Sequence, residues 1–484
     1  MSNKCLLRIS RQHFETITSH LFPGDWEEHG AVLLAGISQR DGDLTLHVRE
    51  VHLAAEGTDY VEGEIGYRAL APKFIHRLIT RARDERLAYI AVHNHGSDNE
   101  VDFSRIDLDS HERGYPALLQ IARGMPVGAL VFGKRSIEAD VWLPNGSRLT
   151  LDRAIVVGNT VQHLTPSPSK IDVSNGDTYD RQIRMFGKAG QDELANCRVA
   201  IVGLGGIGSL IAEYLSRLGV GRLCLIDDDR VEESNLSRIV GASSSDAIKG
   251  TSKLEVASRL ILAANPRAEL QLVPEDFAKE SAAKAASSCD YLFLAADSMR
   301  ARLVFNALVH QYLIPGVQLG SKIRANSAGT LVDVMSANRP VRPGYGCLWC
   351  NQLINPNQLA KEAKTEEERK AQAYGVEEPN PSVISLNAIS AAHAVNDFLL
   401  DYLCLRPERA TLYYEHFQFL ENRRTLAQPR KDEDCSECSY LGNRYGRGDL
   451  VELPCVEDRD SHLVEKVNAT GFKPPESDES AVVP

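Results

Sequence analysis

No run of 18 apolar residues occurs in the chain, so no segment is expected to cross a bilayer as a helix. A basic excess is missing too. The 54 Lys and Arg stand against 66 Asp and Glu, a formal net charge of −12, which argues against nucleic acid as a partner. The opening residues lack the long apolar core and small-residue cleavage site of a secretory signal, and no internal repeat is evident. Cysteine is present, but not as a disulfide framework. Four of the ten form two Cys-x-x-Cys pairs, Cys347–Cys350 and Cys435–Cys438, while Cys5, Cys197, Cys224, Cys289, Cys404 and Cys455 are scattered. That pattern fits thiolate metal ligands in a reducing, cytoplasmic setting. What is there is ordinary for globular protein, 43% hydrophobic and 25% charged. At 484 residues the chain is too long for a single core, and two or three domains are expected.

The expected fold class is α/β. Residues 1–150 read as a mixed α/β domain, with GAVLLAG and LAYIAVH as buried strands. Residues 151–178 read as a linker that permits independent domain motion, its break marked by the prolines and small polar residues of Leu164–Thr178. From 179 to 440 the pattern is β-α-β, a doubly wound Rossmann-like domain. Residues 441–484 read as a C-terminal tail whose last stretch, GFKPPESDESAVVP, has too little to bury for order. A charge-rich insert between Asn355 and Gly375 reads as a helical or mobile surface excursion.

Within the second domain a glycine turn, Gly203-x-Gly205-Gly206-x-Gly208, follows the strand CRVAIVG and opens a helix. Such turns let backbone amides approach a pyrophosphate at a helix N-terminus. Asp227, ending the next strand, suits a ribose hydroxyl. To this point an NAD oxidoreductase and other nucleotide chemistry stand level. The wider motif set separates them. Asp227-Asp228-Asp229-Arg230-Val231-Glu232-Glu233-Ser234-Asn235-Leu236-Ser237-Arg238, the opening Tyr179-Asp180-Arg181-Gln182-Ile183, Gly250-Thr251-Ser252-Lys253 and the strand-ending Asp297 resemble the ordered motifs of the ThiF, MoeB and ubiquitin-activating enzyme superfamily. The resemblance spans about residues 179–438. It implies adenylation of a carboxylate with ATP and Mg²⁺, with Arg238 and Lys253 supplying positive charge to the phosphates, Asn235 hydrogen-bonding phosphate and Asp297 helping to hold Mg²⁺. Asp229 stands open between a turn role and a catalytic one. Arg181 corresponds to the arginine that reaches across a homodimer into the other subunit's ATP site.

Two Cys-x-x-Cys pairs, Cys347, Cys350, Cys435 and Cys438, can bring four thiolates to one tetrahedral Zn²⁺ with no open position, which makes that centre structural. The region from Asn351 to Pro381 has no cysteine to carry a thioester. Cys404, in FLLDYLCL, is expected to be a buried helix residue. Cys455 is a weak transfer candidate, because its acidic neighbours raise a thiol pKa.

In the first domain a strand ends in His93 and His95, whose i, i+2 spacing puts both imidazoles on one face, with Asp107 as a third metal ligand. This set leaves an open zinc position for water. His93-Asn94-His95-Gly96 followed by Ser104-Arg105-Ile106-Asp107 resembles the JAMM metallopeptidase motif. Gly96 replaces that motif's proline, and one extra residue lies between His95 and Ser104. The resemblance implies a general base, Glu28 or alternatively Glu27, and an oxyanion donor, Ser104. Ser104-x-x-Asp107 is equally a helix capping box, and His29 and His111 read as structural or solvated.

Together the two resemblances imply a fusion. One half would cut at the C-terminal glycine of a ubiquitin-like β-grasp protein, and the other would adenylate that carboxylate. A separate conjugating enzyme or sulfur donor would act next. The alternatives are sulfur-carrier activation for thiocarboxylate formation and a catalytically silent partner-binding scaffold.

Overall fold

The computed structural model describes residues 4–40, 42–61, 69–167, 177–326, 328–363, 381–407 and 411–456. The first domain contains β1 (Lys4–Ser10), α1 (Arg11–Leu21), β2 (Gly30–Arg40), β3 (Asp43–Leu53), α2 (Pro72–Glu85), β4 (Ala88–Asn94), α3 (Arg105–Ala122), β5 (Val127–Phe132), β6 (Ile137–Trp142), β7 (Arg148–Val157) and β8 (Val161–Leu164). Its strands run β1-β3-β2-β4-β5-β6-β7-β8, and β7 also pairs with β1, so the sheet closes on itself. Alternation along β2 and β4 sends Ala31, Leu33, Ile90 and Val92 to an interior shared with Ile17 and Leu21 of α1. Val32, Leu34, Tyr89 and Ala129 pack beneath α2 and α3.

The second domain holds α4 (Asp180–Asn196), β9 (Arg198–Val202), α5 (Gly206–Leu218), β10 (Arg222–Ile226), α6 (Ser244–Lys249), α7 (Lys253–Ala264), β11 (Glu269–Val273), α8 (Glu280–Ser287), β12 (Tyr291–Leu294), α9 (Met299–Gln311), β13 (Gly316–Ala325), β14 (Leu331–Val341), α10 (Pro356–Glu362), α11 (Ile384–Tyr402), β15 (Tyr414–Gln418) and β16 (Arg423–Ala427). The order is β11-β10-β9-β12-β13-β14-β15-β16. The first five are parallel, as expected; β14 to β16 add an antiparallel extension. Chain direction across the sheet reverses between β9 and β12, the switch point where doubly wound sheets bind ligands at their carboxyl ends.

Two boundaries differ from the sequence reading. Residues 151–164 are β7 and β8, not linker. Their alternating apolar residues Ile155, Val157 and Val161 are buried in the same core as Val199, Ile211 and Phe398 of the second domain. Independent motion is replaced by a shared interior, reinforced where Arg8 and Arg153 meet buried Asp290 at 3.6 and 3.1 Å. Residues 441–456 are likewise no tail, since they run between the domains, with the Gly446 amide on His310 O and the Asp449 amide on Ile37 O. The charge-rich insert begins as α10, whose Glu362 accepts the Met299 and Arg300 amides at the start of α9. The rest of that insert, the end of the chain from 457 and residues 168–176 lie outside the described residues. No helix among the described residues is long and apolar enough to cross a membrane.

Candidate functional site

The glycine turn sits where β9 feeds α5. Gly203 adopts φ +86, and a Cβ there would meet the Ala296 amide at 2.9 Å, so only glycine fits the close approach of β9's end to β12's. Gly205 caps α5, Gly208 lies against Gly203 O, and Gly206 lies against Asn387 of α11. Asp227, at the end of β10, accepts the Leu204 amide at 2.5 Å and the Asp229 amide at 2.9 Å. Burial raises its carboxyl above the usual range, against the pull of Lys253.

Lys253 opens α7. Its amide donates to Asp229 O, and its Nζ stands 2.5 Å from Asp229 Oδ2 and 3.9 Å from Asp227 Oδ1. Asn235 is buried, and its side-chain amide donates to Ser234 Oγ. Arg238 is anchored on Ser234 O at 2.8 Å, with its stem over Gly206. Asp297 is exposed just beyond β12. All these groups gather at the carboxyl edge.

Arg181 does not gather there. It is exposed at the start of α4, beside Gln182, which donates to Leu218 O at the far end of α5, about 20 Å along that helix from the glycine turn. The sequence reading missed Asn387, which accepts from Ser321 Oγ and donates to Ser382 Oγ; its only signal was a polar residue in an apolar helix. A cleft of about 770 Å³ opens at the opposite ends of β9 to β11 and holds none of these groups.

The four cysteines meet. Cys347 Sγ lies 3.5 Å from Cys350 Sγ and 3.8 Å from Cys435 Sγ, and Cys350 Sγ lies 3.6 Å from Cys438 Sγ. Thiolates on one tetrahedral zinc stand about 3.8 Å apart, so the residues fit that ion. Hydrogen bonding from Cys438 pushes the Cys347 thiol down to about 6. Cys404 corrects the sequence expectation. It is exposed beyond α11 at φ 51, where the chain turns out of the helix, with its thiol on Thr160. Cys455 is half-buried, and burial, then Glu280, pushes its thiol up to about 11.

In the first domain, β4 delivers His93 and the following loop delivers His95; each Nε2 lies 3.6 Å from Asp107 Oδ2. Ligands about 2.1 Å from one tetrahedral ion stand about 3.4 Å apart. His93 Nε2 is buried and has no hydrogen-bond partner among the described residues. The donor set therefore fits a zinc ion. Asp107 Oδ2 also takes the Ser104 amide at 2.8 Å and the Ser104 hydroxyl at 2.7 Å, so capping and clustering share one oxygen. Burial opposes ionisation of Asp107, but the His93 and His95 rings beside it and the hydrogen bonds from Ser104 hold it far below the usual carboxylate range. Asp107 in turn raises His95. Of the two candidate glutamates, Glu28 lies beside the cluster, its Oε1 3.9 Å from His95 Nε2. His29 sits on Asp25 and His111 on Asp140, both buried.

A third group, His393, Asp397 and Glu415, has metal-binding residue types. It is instead an ion-pair lattice: the two ring nitrogens go to different carboxylates, at 3.3 and 3.0 Å, and Arg406 and Arg424 hold those same carboxylates. Hydrogen bonds to Asp397 and then Glu415 push His393 up to about 9. A folded-state value above the unfolded one means the contribution is full below about pH 6.5 and is lost as pH rises through about 9. Urea midpoints of the native chain should therefore fall across that window by more than those of His393→Gln, the difference being on the order of 1–2 kcal/mol. Parallel pH profiles would remove His393 from the stability account.

Known proteins agree with the second half. The chain is 33% identical over 181 residues to the SAMP-activating enzyme E1 of Haloferax volcanii, covering 37% of this chain and 64% of that protein. It is 32% identical over 174 residues to the sulfur carrier protein ThiS adenylyltransferase of Escherichia coli, covering 35% and 66%. It is 34% identical over 185 residues to the molybdopterin-synthase adenylyltransferase of Escherichia coli, covering 37% and 70%. It thus spans about two thirds of each relative's length. Residues 179–437, more than half of the chain, match the ThiF family, and the chain belongs to that family.

Proposed function

We propose that the chain adenylates the C-terminal carboxylate of a ubiquitin-like β-grasp protein, and that its first domain is a JAMM-type zinc hydrolase acting at that same terminus. The observation that carries the first half is the convergence of the glycine turn, Asp227, Arg238 and Lys253 at the switch point of a ThiF-family sheet. The partner carboxylate attacks the α-phosphate of ATP, pyrophosphate leaves and an acyl-adenylate forms. Fixed cations lower that barrier by meeting charge that develops on the phosphates. Asn235 hydrogen-bonds phosphate, and Asp297 would hold Mg²⁺. Arg181, remote from its own turn, acts across a homodimer.

The hydrolase half rests on four groups, His93, His95, Asp107 and Glu28, meeting at one point. Zinc there would supply Lewis acidity and an acidified water. Glu28 takes the proton from the attacking water and passes it to the leaving amine. Ser104 steadies Asp107 and would meet the oxyanion by turning its hydroxyl proton away from Asp107 Oδ2. Peptidase domain 1–164, adenylation domain 177–440 and the interdomain segment 441–456 are the working divisions.

Sulfur-carrier activation is the second reading, favoured by the thiols: the sequence from Asn351 to Pro381 has no cysteine, and burial holds Cys455 protonated. A thiocarboxylate product on the partner would establish it, and a thioester on the chain would sink it.

Zinc content tests the whole proposal. The native chain should hold two zinc ions, His95→Ala one and Cys347→Ser one, with hydrolysis lost only in the first variant. A native chain holding a single zinc that Cys347→Ser removes would refute the hydrolase half.

A further inference from the structure

We infer that Asn94, the residue between the two histidines, is a positioning residue that fixes Glu28 against the His93–His95–Asp107 cluster. This rests on the hydrolase reading above. The β2–β4 ladder ends at the pair Gly30 and His93. One residue further out, the His29 amide has passed the last strand partner. Asn94 takes over: its side chain is buried, and its Oδ1 accepts the His29 amide at 2.6 Å.

The bond holds the peptide unit that joins Glu28 to His29. The His29 ring fixes the other side of that unit, with Nε2 3.0 Å from Asp25 Oδ1 and Nδ1 3.7 Å from Glu56 Oε1. Glu28 thus leaves a backbone pinned to the very strand that carries the histidines, and its Oε1 rests 3.9 Å from His95 Nε2. In the preceding loop Gly24 takes φ +104, Trp26 is fully exposed and the Glu27 amide donates to Asp25 Oδ1 at 3.2 Å. A general base that drifts by an ångström loses about 10²-fold in rate. Asn94 touches no reacting atom; it acts through the Glu28–His29 peptide.

The test uses the full chain with its cysteine centre filled by zinc, loaded with Co²⁺ or Zn²⁺ at the histidine site, and a Gly-Gly-aminomethylcoumarin peptide as substrate. Asn94→Ala should bind Co²⁺ within about threefold of native, keep KM within about twofold and lose about 10- to 100-fold in kcat. Asn94→Asp keeps the acceptor oxygen and should recover to within about fivefold of native. Amide exchange at His29 should quicken at least about tenfold in Asn94→Ala.

Native kcat or native His29 exchange in Asn94→Ala overturns the proposal. So does a loss of Co²⁺ binding in step with kcat, which would make Asn94 a support of the ligand strand only. A native chain that protects His29 and binds Co²⁺ but cleaves nothing overturns the hydrolase reading, and the positioning role with it, while the hydrogen bond itself stands.

Discussion

Lys253→Ala is expected to lower partner-dependent ATP–pyrophosphate exchange by about 10²- to 10³-fold, the scale of removing one preset charge stabiliser from a transition state. The expectation follows from how the ammonium is held. Ser252 caps α7, the Lys253 amide is bonded to Asp229 O, and the side chain is only 11% exposed. Its Nζ therefore waits between the acidic end of β10 and the glycine turn, paired with Asp229 at 2.5 Å. An incoming phosphate has only to exchange one anion for another, and no lysine rotamers need be ordered at that moment. Lys253→Arg keeps the charge but replaces a compact ammonium with a planar fork, so it should retain partial activity. Zinc content and unfolding midpoint should stay native in both variants. Exchange within about threefold of native in Lys253→Ala would remove the lysine from the phosphate site.

Much of this site was legible because local chemistry dictated it. A turn that needs φ +86 at Gly203 and a strand that must end in a carboxylate leave residue-type signatures in one short stretch. The same holds for His93, His95 and Asp107, which are set by strand alternation and a capping box. What was not legible depended on distant partners. Nothing near 151–164 announces that Ile155 and Val161 will share a core with Phe398, since an apolar strand looks the same whichever neighbour buries it. The closure of β7 on β1 is a pairing across almost the whole first domain. Residues 441–456, poor in apolar pattern, look like a tail because their order comes from backbone hydrogen bonds and glycine fits. Asn94 reads in the sequence as a spacer between two histidines, since its hydrogen-bond partner is an amide 65 residues away.

Cys438→Ser is expected to disturb the first domain as well as the second, although Cys438 belongs to neither active cluster. Tyr440, two residues on, sets its ring 4.7 Å from that of His13 of α1, tilted by 40°, and donates to Gln12 at 2.5 Å. Tyr445 is fully buried, and its carbonyl accepts Arg49 at 2.6 Å. Gly446 then accepts the Gly36 amide of β2 while its own amide goes to His310 O of α9, and Gly448 donates to Gln311 O. The fit is backbone on backbone: a Cβ on Gly36 would lie 2.2 Å from Gly446 O, and one on Gly448 2.2 Å from Ile37 O. Arg447 completes the span with two bonds to Glu85 of α2. The four-cysteine cluster stands at the head of this segment, and a zinc ion held there would anchor it. Without it the segment must order itself from its own contacts, at a backbone cost of about 1–2 kcal/mol per residue. Loss of the centre should remove one zinc per chain and lower the melting temperature by on the order of 10 °C, as several kcal/mol of metal-linked folding energy disappears. Exchange of the Gly36 and Asp449 amides should accelerate in parallel. Gly448→Ala should loosen the same amides while keeping both zinc ions, which separates the segment's fit from the metal. Native exchange at Gly36 in a zinc-depleted Cys438→Ser chain would confine the centre's role to the second domain.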